Sequence, residues 1–206
     1  MSGYLIMGII YAFAAAVQPG PLQAYLIAQT LSNGWRRTIY SSFAPLFSDA
    51  PIIVLMLFVL NNVPIIMIHI LQCAGGIFIL YLAFNAFKTW KNYDAKKVME
   101  VQSSSQTFWK AVLVNLLNPN PYIGWSLVMG PILLGAWRSS PLNGIILLLT
   151  FYSTLIICTA IIIILFAYAK SIGPKISKMM VGISAVALAG FGIYQLYLGA
   201  FRLLFK

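Results

Sequence analysis

A chain of 206 residues that is 61% hydrophobic and only 8% charged lies far from the composition of a soluble domain. One span takes roughly 20 apolar residues, so this length predicts a single membrane domain over 1–206 with about six spans and no soluble domain. A net charge of +10 would suit a nucleic-acid partner in a soluble protein, but here the basic residues collect in a few short loops, which excludes that class.

The first apolar run covers about residues 3–31. No basic residue precedes it and no short apolar core ends in a cleavage-like site, so it is expected as a retained helix rather than a signal peptide. "QPGP" at 18–21 falls near its middle. The second run, about 38–60, carries "APLFSDAPIIV". Only three acidic residues exist, and Asp49 is the one inside an apolar run. Twelve residues beyond Arg37 places it about 18 Å along that helix, near mid-membrane. An aspartate there costs on the order of 3 kcal/mol on insertion scales, which marks it as functional. It can carry a coupling proton or, when ionised, hold a substrate ammonium group. Its structural alternative is a hydrogen bond to a broken helix. Pro45 and Pro51 flank it and make the helix bendable.

The third run, about 63–87, begins near His69, the single histidine, which is expected as a solvated or interfacial imidazole. Gly75 and Gly76 near its middle, like Gly190 and Gly192 in the last run, permit close helix packing. A polar stretch over about 88–110, "KTWKNYDAKKVMEVQSSSQTFWK", reads as a solvated loop. The fourth run, about 108–136, is interrupted by "LNPNPYIGW" at 117–125. Runs at about 141–169 and 179–204 complete six segments. Trp35, Trp90, Trp109 and Trp137 sit at segment ends, as in interfacial belts. Cys73 and Cys158 form no CxxC motif and are expected as small buried side chains.

With six spans, Arg36, Arg37, Lys88, Lys91, Lys96, Lys97, Lys110, Lys170, Lys175 and Lys178 fall on one side, and only Arg138, Arg202 and Lys206 on the other. The positive-inside rule puts the larger group in the cytoplasm and both termini outside.

The two halves resemble each other. "QPGP" at 18–21 matches "NPNP" at 118–121, "NGWRR" at 33–37 matches "LGAWR" at 134–138, and "GIFILYLAF" at 76–84 matches "GIYQLYLGAF" at 192–201. Three helices per unit force the second to enter the membrane upside down. The predicted fold is therefore an all-α integral membrane protein of six transmembrane helices. It consists of two inverted three-helix repeats, about 1–88 and 108–206, with helices 1 and 4 broken at Pro-x-Pro.

Proline lacks the amide hydrogen and clashes with the preceding turn, so each break frees backbone groups that lipid does not tolerate unless they line a cavity or find partners. Pro21 and Pro121 are expected to open the second half-helices, capped by Gly20 and Asn120. Two helix N-termini converging at one depth suit an anion such as a carboxylate. The expected substrate-binding residues are Gln18, Pro19, Gly20, Pro21, Asn118, Pro119, Asn120 and Pro121, with Asp49 for proton coupling or the substrate ammonium. The alternative for the prolines is a pair of structural kinks. Gln23, Ser48 and Asn115 lie at similar depth and complete a pocket or act as interhelical glue.

"AAVQPGPLQAYLIAQTLSNGWRRTIYSSFAPLFSD", the later Asn118-Pro119 break and "GGIFILYLAF" together resemble the LysE/RhtB family of bacterial amino-acid exporters across nearly the whole chain. The resemblance implies a secondary exporter of an amino acid or related small zwitterion in the bacterial inner membrane, driven by the proton gradient. Leu22 stands where many members are polar, and Asn120-Pro121 where many have lysine after Asn-Pro.

Two other functions compete with this one. A divalent-cation exporter would need several carboxylate ligands, and Asp49 has only amides for company. An intramembrane enzyme would need a second acid or a cysteine pair at the depth of Asp49. No cofactor or metal is implied. The partners are the substrate, protons and lipid, with homo-oligomers possible.

Overall fold

The computed structural model describes residues 2–18, 20–58, 65–92, 103–171 and 174–204, and among them every regular element is helical. The helices are α1 (Ser2–Val17), α2 (Pro21–Asn33), α3 (Trp35–Thr38), α4 (Ala44–Phe58), α5 (Ile65–Lys91), α6 (Ser104–Leu116), α7 (Pro119–Gly124), α8 (Gly130–Ser139), α9 (Pro141–Ser171) and α10 (Pro174–Leu204). A 3₁₀ turn over Ile39–Phe43 joins α3 to α4, and a π-helical turn over Trp125–Met129 joins α7 to α8.

Among the described residues, four continuous helical stretches are long and apolar enough to cross a membrane: Trp35–Leu55, Gln72–Lys91, Pro141–Tyr168 and Lys178–Ala200. Counting α1 and α2 as one span bent by 63° makes five. The remaining expected segment, the fourth, 108–136, is not one helix, because its prolines divide it into α6, α7, the π turn and α8. It also starts earlier than hydropathy indicates. Ser103 and Gln106 form a capping box, with the serine hydroxyl accepting from the Gln106 amide at 3.2 Å.

Local chemistry fixes the other boundaries. α2 starts with Pro21 at its first position behind an extended Gly20. It ends at Gly34, whose φ of +86° suits glycine and whose amide donates to the Thr30 carbonyl at 3.0 Å. Large apolar side chains such as Val186 (72% exposed), Phe84 and Leu127 face outward, as a lipid-facing surface requires.

Glycines set the closest helix pair. A Cβ on Gly76 of α5 would lie 2.7 Å from Leu196 Cγ and 2.9 Å from the Gly192 carbonyl. One on Gly192 of α10 would lie 2.8 Å from Leu80 Cγ and 3.1 Å from the Gly76 carbonyl. Gly76 and Leu80 thus meet Leu196 and Gly192 reciprocally. Farther along, Gly199 admits the Cys73 backbone and the His69 carbonyl. Gly190 departs from expectation: no atom lies within 4 Å of a Cβ built there, so the contact falls on Gly192 and Gly199. His69 departs too. It is 5% exposed rather than solvated, because Gly199 lets α10 press against that turn of α5.

α1 packs along α9, where Gly8 leaves room for Thr150, and α4 packs against α6. Two apolar clusters result. One joins α2, α5, α6 and α10 through Tyr25, Leu26, Ile79, Val114 and Leu188; the other joins α1, α4, α9 and the Trp125–Leu133 stretch. Trp35, Trp109 and Trp137 are exposed, whereas Trp90 lies over Gly182.

Gly76→Ala is expected to destabilise the protein by about 1–3 kcal/mol through overpacking, read as a lower melting temperature in detergent. Gly190→Ala should be neutral or slightly stabilising through helix propensity. A Gly76→Ala melting curve superimposable on wild type would disprove the close approach.

Candidate functional site

At the first break, prolines 19 and 21 remove the amides that would have met the carbonyls four residues earlier. Pro19 itself lies outside the described residues. Gln23 restores part of the loss from the first turn of α2: its Nε2 donates to the Ala15 and Ala16 carbonyls, both at 3.4 Å. The glutamine expected to complete a pocket therefore also closes the break. No side chain caps the N-terminus of α2.

The second break is built differently. Asn118, not Asn120, is the cap, and Pro119, not Pro121, opens the helix. The reason is local: Asn118 Oδ1 accepts the Asn120 amide at 3.1 Å, which starts the helix one proline earlier. Pro119 and Pro121 have no amide hydrogen and that of Asn120 is occupied, so the first three residues of α7 offer an anion no free N–H. The expected symmetric pair of amide cradles is thus reduced to the α2 side, faced by the side chains of Asn118 and Asn120. Behind the break, Tyr122 OH donates to the Leu116 carbonyl at 2.9 Å. Ser126 Oγ donates to the Tyr122 carbonyl at 2.6 Å.

Asp49 on α4 is 4% exposed, and three donors from the other half of the chain surround its carboxyl. Asn115 Nδ2 donates to Oδ1 at 3.0 Å, while Trp125 Nε1 and Tyr152 OH donate to Oδ2 at 3.3 and 3.4 Å. Asn115 Nδ2 also donates to Ser48 Oγ at 2.7 Å. The Trp125 ring is held in turn, stacked on Tyr152 at 6.5 Å between centroids and edge-on to Phe151 at 5.6 Å. The π turn that carries Trp125 needs Gly130, where a Cβ would run into the Trp125 carbonyl. Asp49 thus takes its donors from α6, the π turn and α9, not from amides freed at the first break.

These pieces meet in one cavity of about 430 Å³. Gln18, Gly20, Asp49, Asn118, Asn120 and Pro121 all line it. Pro21 and Pro119 are buried without lining it. Gln23, Asn115, Trp125 and Thr159 add polar groups, while Val128, Met129, Phe151 and Leu155 form an apolar wall. Trp125, Tyr152 and Thr159 escaped the sequence analysis. Trp125 did carry a signal, since it is the one tryptophan away from a segment end; Tyr152 and Thr159 carried none. A second cavity of about 420 Å³ lies between α2, α9 and α10, lined almost wholly by apolar side chains, and shares Gly20 and Gln23 with the first. Among the described residues no three His, Cys, Asp or Glu side chains gather as a metal site.

Comparison with known proteins agrees with this architecture. No curated protein and no solved structure matches the chain at a significant level. The LysE type translocator family, in contrast, matches residues 13–199, which take in both breaks, Asp49 and the α5–α10 contact. That family consists of membrane transporters that export amino acids or related compounds, so the chain is a multi-pass membrane transporter. Spanning nearly its whole length, the match makes this chain a member of the LysE type translocator family.

Proposed function

We propose that the protein is a proton-coupled secondary exporter of an amino acid or closely related small zwitterion in the bacterial inner membrane. Its site lies between two inverted three-helix repeats, near the middle of the bilayer. The observation that carries this proposal is the single cavity onto which both proline breaks and the one intramembrane acid open. A zwitterion needs an anion site and a cation site a few ångströms apart. The N-terminus of α2, with Gln18 and Gly20 at its edge, faces the carboxylate. Asn118 and Asn120 supply amide donors across the cavity. Asp49 takes the ammonium when ionised and carries the coupling proton when the site is empty of substrate. Pro21, Pro119 and Pro121 hold the breaks in shape.

Packing supports the inverted repeat. Aligning residues 76–84 with 192–201 equates Gly76 with Gly192 and Leu80 with Leu196. The observed contacts pair Gly76 with Leu196 and Gly192 with Leu80, the reciprocity a two-fold axis produces. Exchanging the halves likewise turns the α1–α9 pair into the pairing of the fourth segment with α4. Transport of a divalent cation suits the site poorly, because among the described residues Asp49 is the only carboxylate on the cavity and hard cations want several oxygen ligands. The ten basic residues that six spans would put on one side support an orientation with both termini outside.

Three outcomes test the proposal. In proteoliposomes with an imposed proton gradient, Asp49→Asn should reduce amino-acid efflux to background, and unchanged pH dependence in that variant removes Asp49 from the mechanism. Pro21→Ala and Pro121→Ala should each slow efflux roughly tenfold, the equivalent of about 1.4 kcal/mol in the barrier; full activity in both would mean that the breaks are structural kinks. On a background lacking Cys73 and Cys158, cysteines placed at Ser2 and Lys206 should react with an impermeant maleimide from outside intact cells. Protection of both would reverse the topology.

A further inference from the structure

We propose that the exported zwitterion carries a neutral, apolar side chain, as in the aliphatic, thioether and aromatic amino acids, and not a basic, acidic or hydroxylated one. This rests on the proposed export function and names its substrate class. Charge balance comes first. Among the described residues lining the cavity there is one acid, Asp49, and no lysine, arginine or histidine. The substrate's ammonium uses Asp49, so a second positive charge on a lysine-like or arginine-like side chain has no partner. A side-chain carboxylate has none either. An unpaired charge held against buried, largely apolar side chains is disfavoured.

The hydrogen-bond capacity of Asp49 narrows the choice further. A carboxylate offers about four acceptor positions. Asn115, Trp125 and Tyr152 take three of them. The neighbouring Ser48 hydroxyl also interacts with this carboxyl, so the capacity left on the cavity side is too small for the paired N–H groups of a guanidinium.

The walls then select the side chain. Val128 and Met129 of the π turn and Phe151 and Leu155 of α9 give the cavity an apolar wall. Trp125 and Phe151 are held in mutual contact there, and the Trp125 indole N–H already serves Asp49. Aliphatic, thioether and aromatic groups exclude water from this wall, whereas a hydroxylated side chain finds partners only away from it, at Thr159 or the Asn and Gln side chains of the cavity. A volume of about 430 Å³ admits one such solute with its polar head on Asp49 and α2.

The test is a competition assay in proteoliposomes containing the wild-type protein, loaded with equal concentrations of labelled leucine, methionine, phenylalanine, serine, lysine, arginine and glutamate. The expected result is efflux of leucine, methionine or phenylalanine roughly tenfold or more above the others. A second variant, Val128→Asp, adds a carboxylate to the wall and should raise the lysine-to-leucine efflux ratio. Faster movement of lysine, arginine, glutamate or serine by wild type would overturn the substrate class while leaving amino-acid export intact. Movement of no amino acid at all would overturn the substrate class together with the export function. An unchanged ratio in a folded Val128→Asp protein would show that this wall does not face the side chain.

Discussion

A carboxyl group buried inside a lipid-surrounded bundle must find its hydrogen-bond donors within the protein, because neither water nor hydrocarbon supplies them. Asp49 meets this constraint with three donors drawn from α6, the π turn and α9. The consequence reaches through the structure. α4 of the first half is tied to the fourth and fifth segments of the second. Trp125 is pinned by stacking on Tyr152, and the π turn re-aims that indole inward. Removing a donor would leave a buried acceptor unpaired at about 1–3 kcal/mol, so the network holds its geometry as a unit.

The proline breaks obey the same rule by different means. In the first, a glutamine side chain reaches back to two orphaned carbonyls; in the second, an asparagine caps the new helix while a tyrosine hydroxyl covers a carbonyl behind it. Both repairs use side chains close in sequence to the break, so each break is a self-contained unit. The two are chemically unequal despite their similar sequences. Three residues without a free N–H leave α7 a poorer anion site than α2, and the proposed orientation of an amino acid between a helix terminus and a carboxyl rests on this asymmetry.

Packing between α5 and α10 supplies the rigid frame. Without a hydrophobic driving force inside lipid, helices associate through close van der Waals contact, and small residues make that contact possible. Gly76, Gly192 and Gly199 let backbone approach backbone, while Gly75 does the same toward the Leu117 carbonyl beside the second break. The frame therefore touches the site directly, and a change in the angle between α5 and α10 would be felt where the fourth segment is interrupted.

Membrane class, the proline breaks, the isolated acid and the family were all legible in the sequence, because each depends on composition or on spacing a few residues apart. Hydropathy alone reports the lipid solvent, proline reports a missing amide wherever it stands, and one aspartate in an apolar run stands out without any partner in view. Chain order could not show which groups meet Asp49, since Asn115, Trp125 and Tyr152 lie 66, 76 and 103 residues away. It could not show that Asn118 would outcompete Asn120 as a cap, a contest decided by side-chain reach, or that Gly199 would bury His69. The Asp49 network and the burial of His69 were decided by tertiary structure, because helix packing brings together groups far apart in the chain and no local pattern encodes that packing.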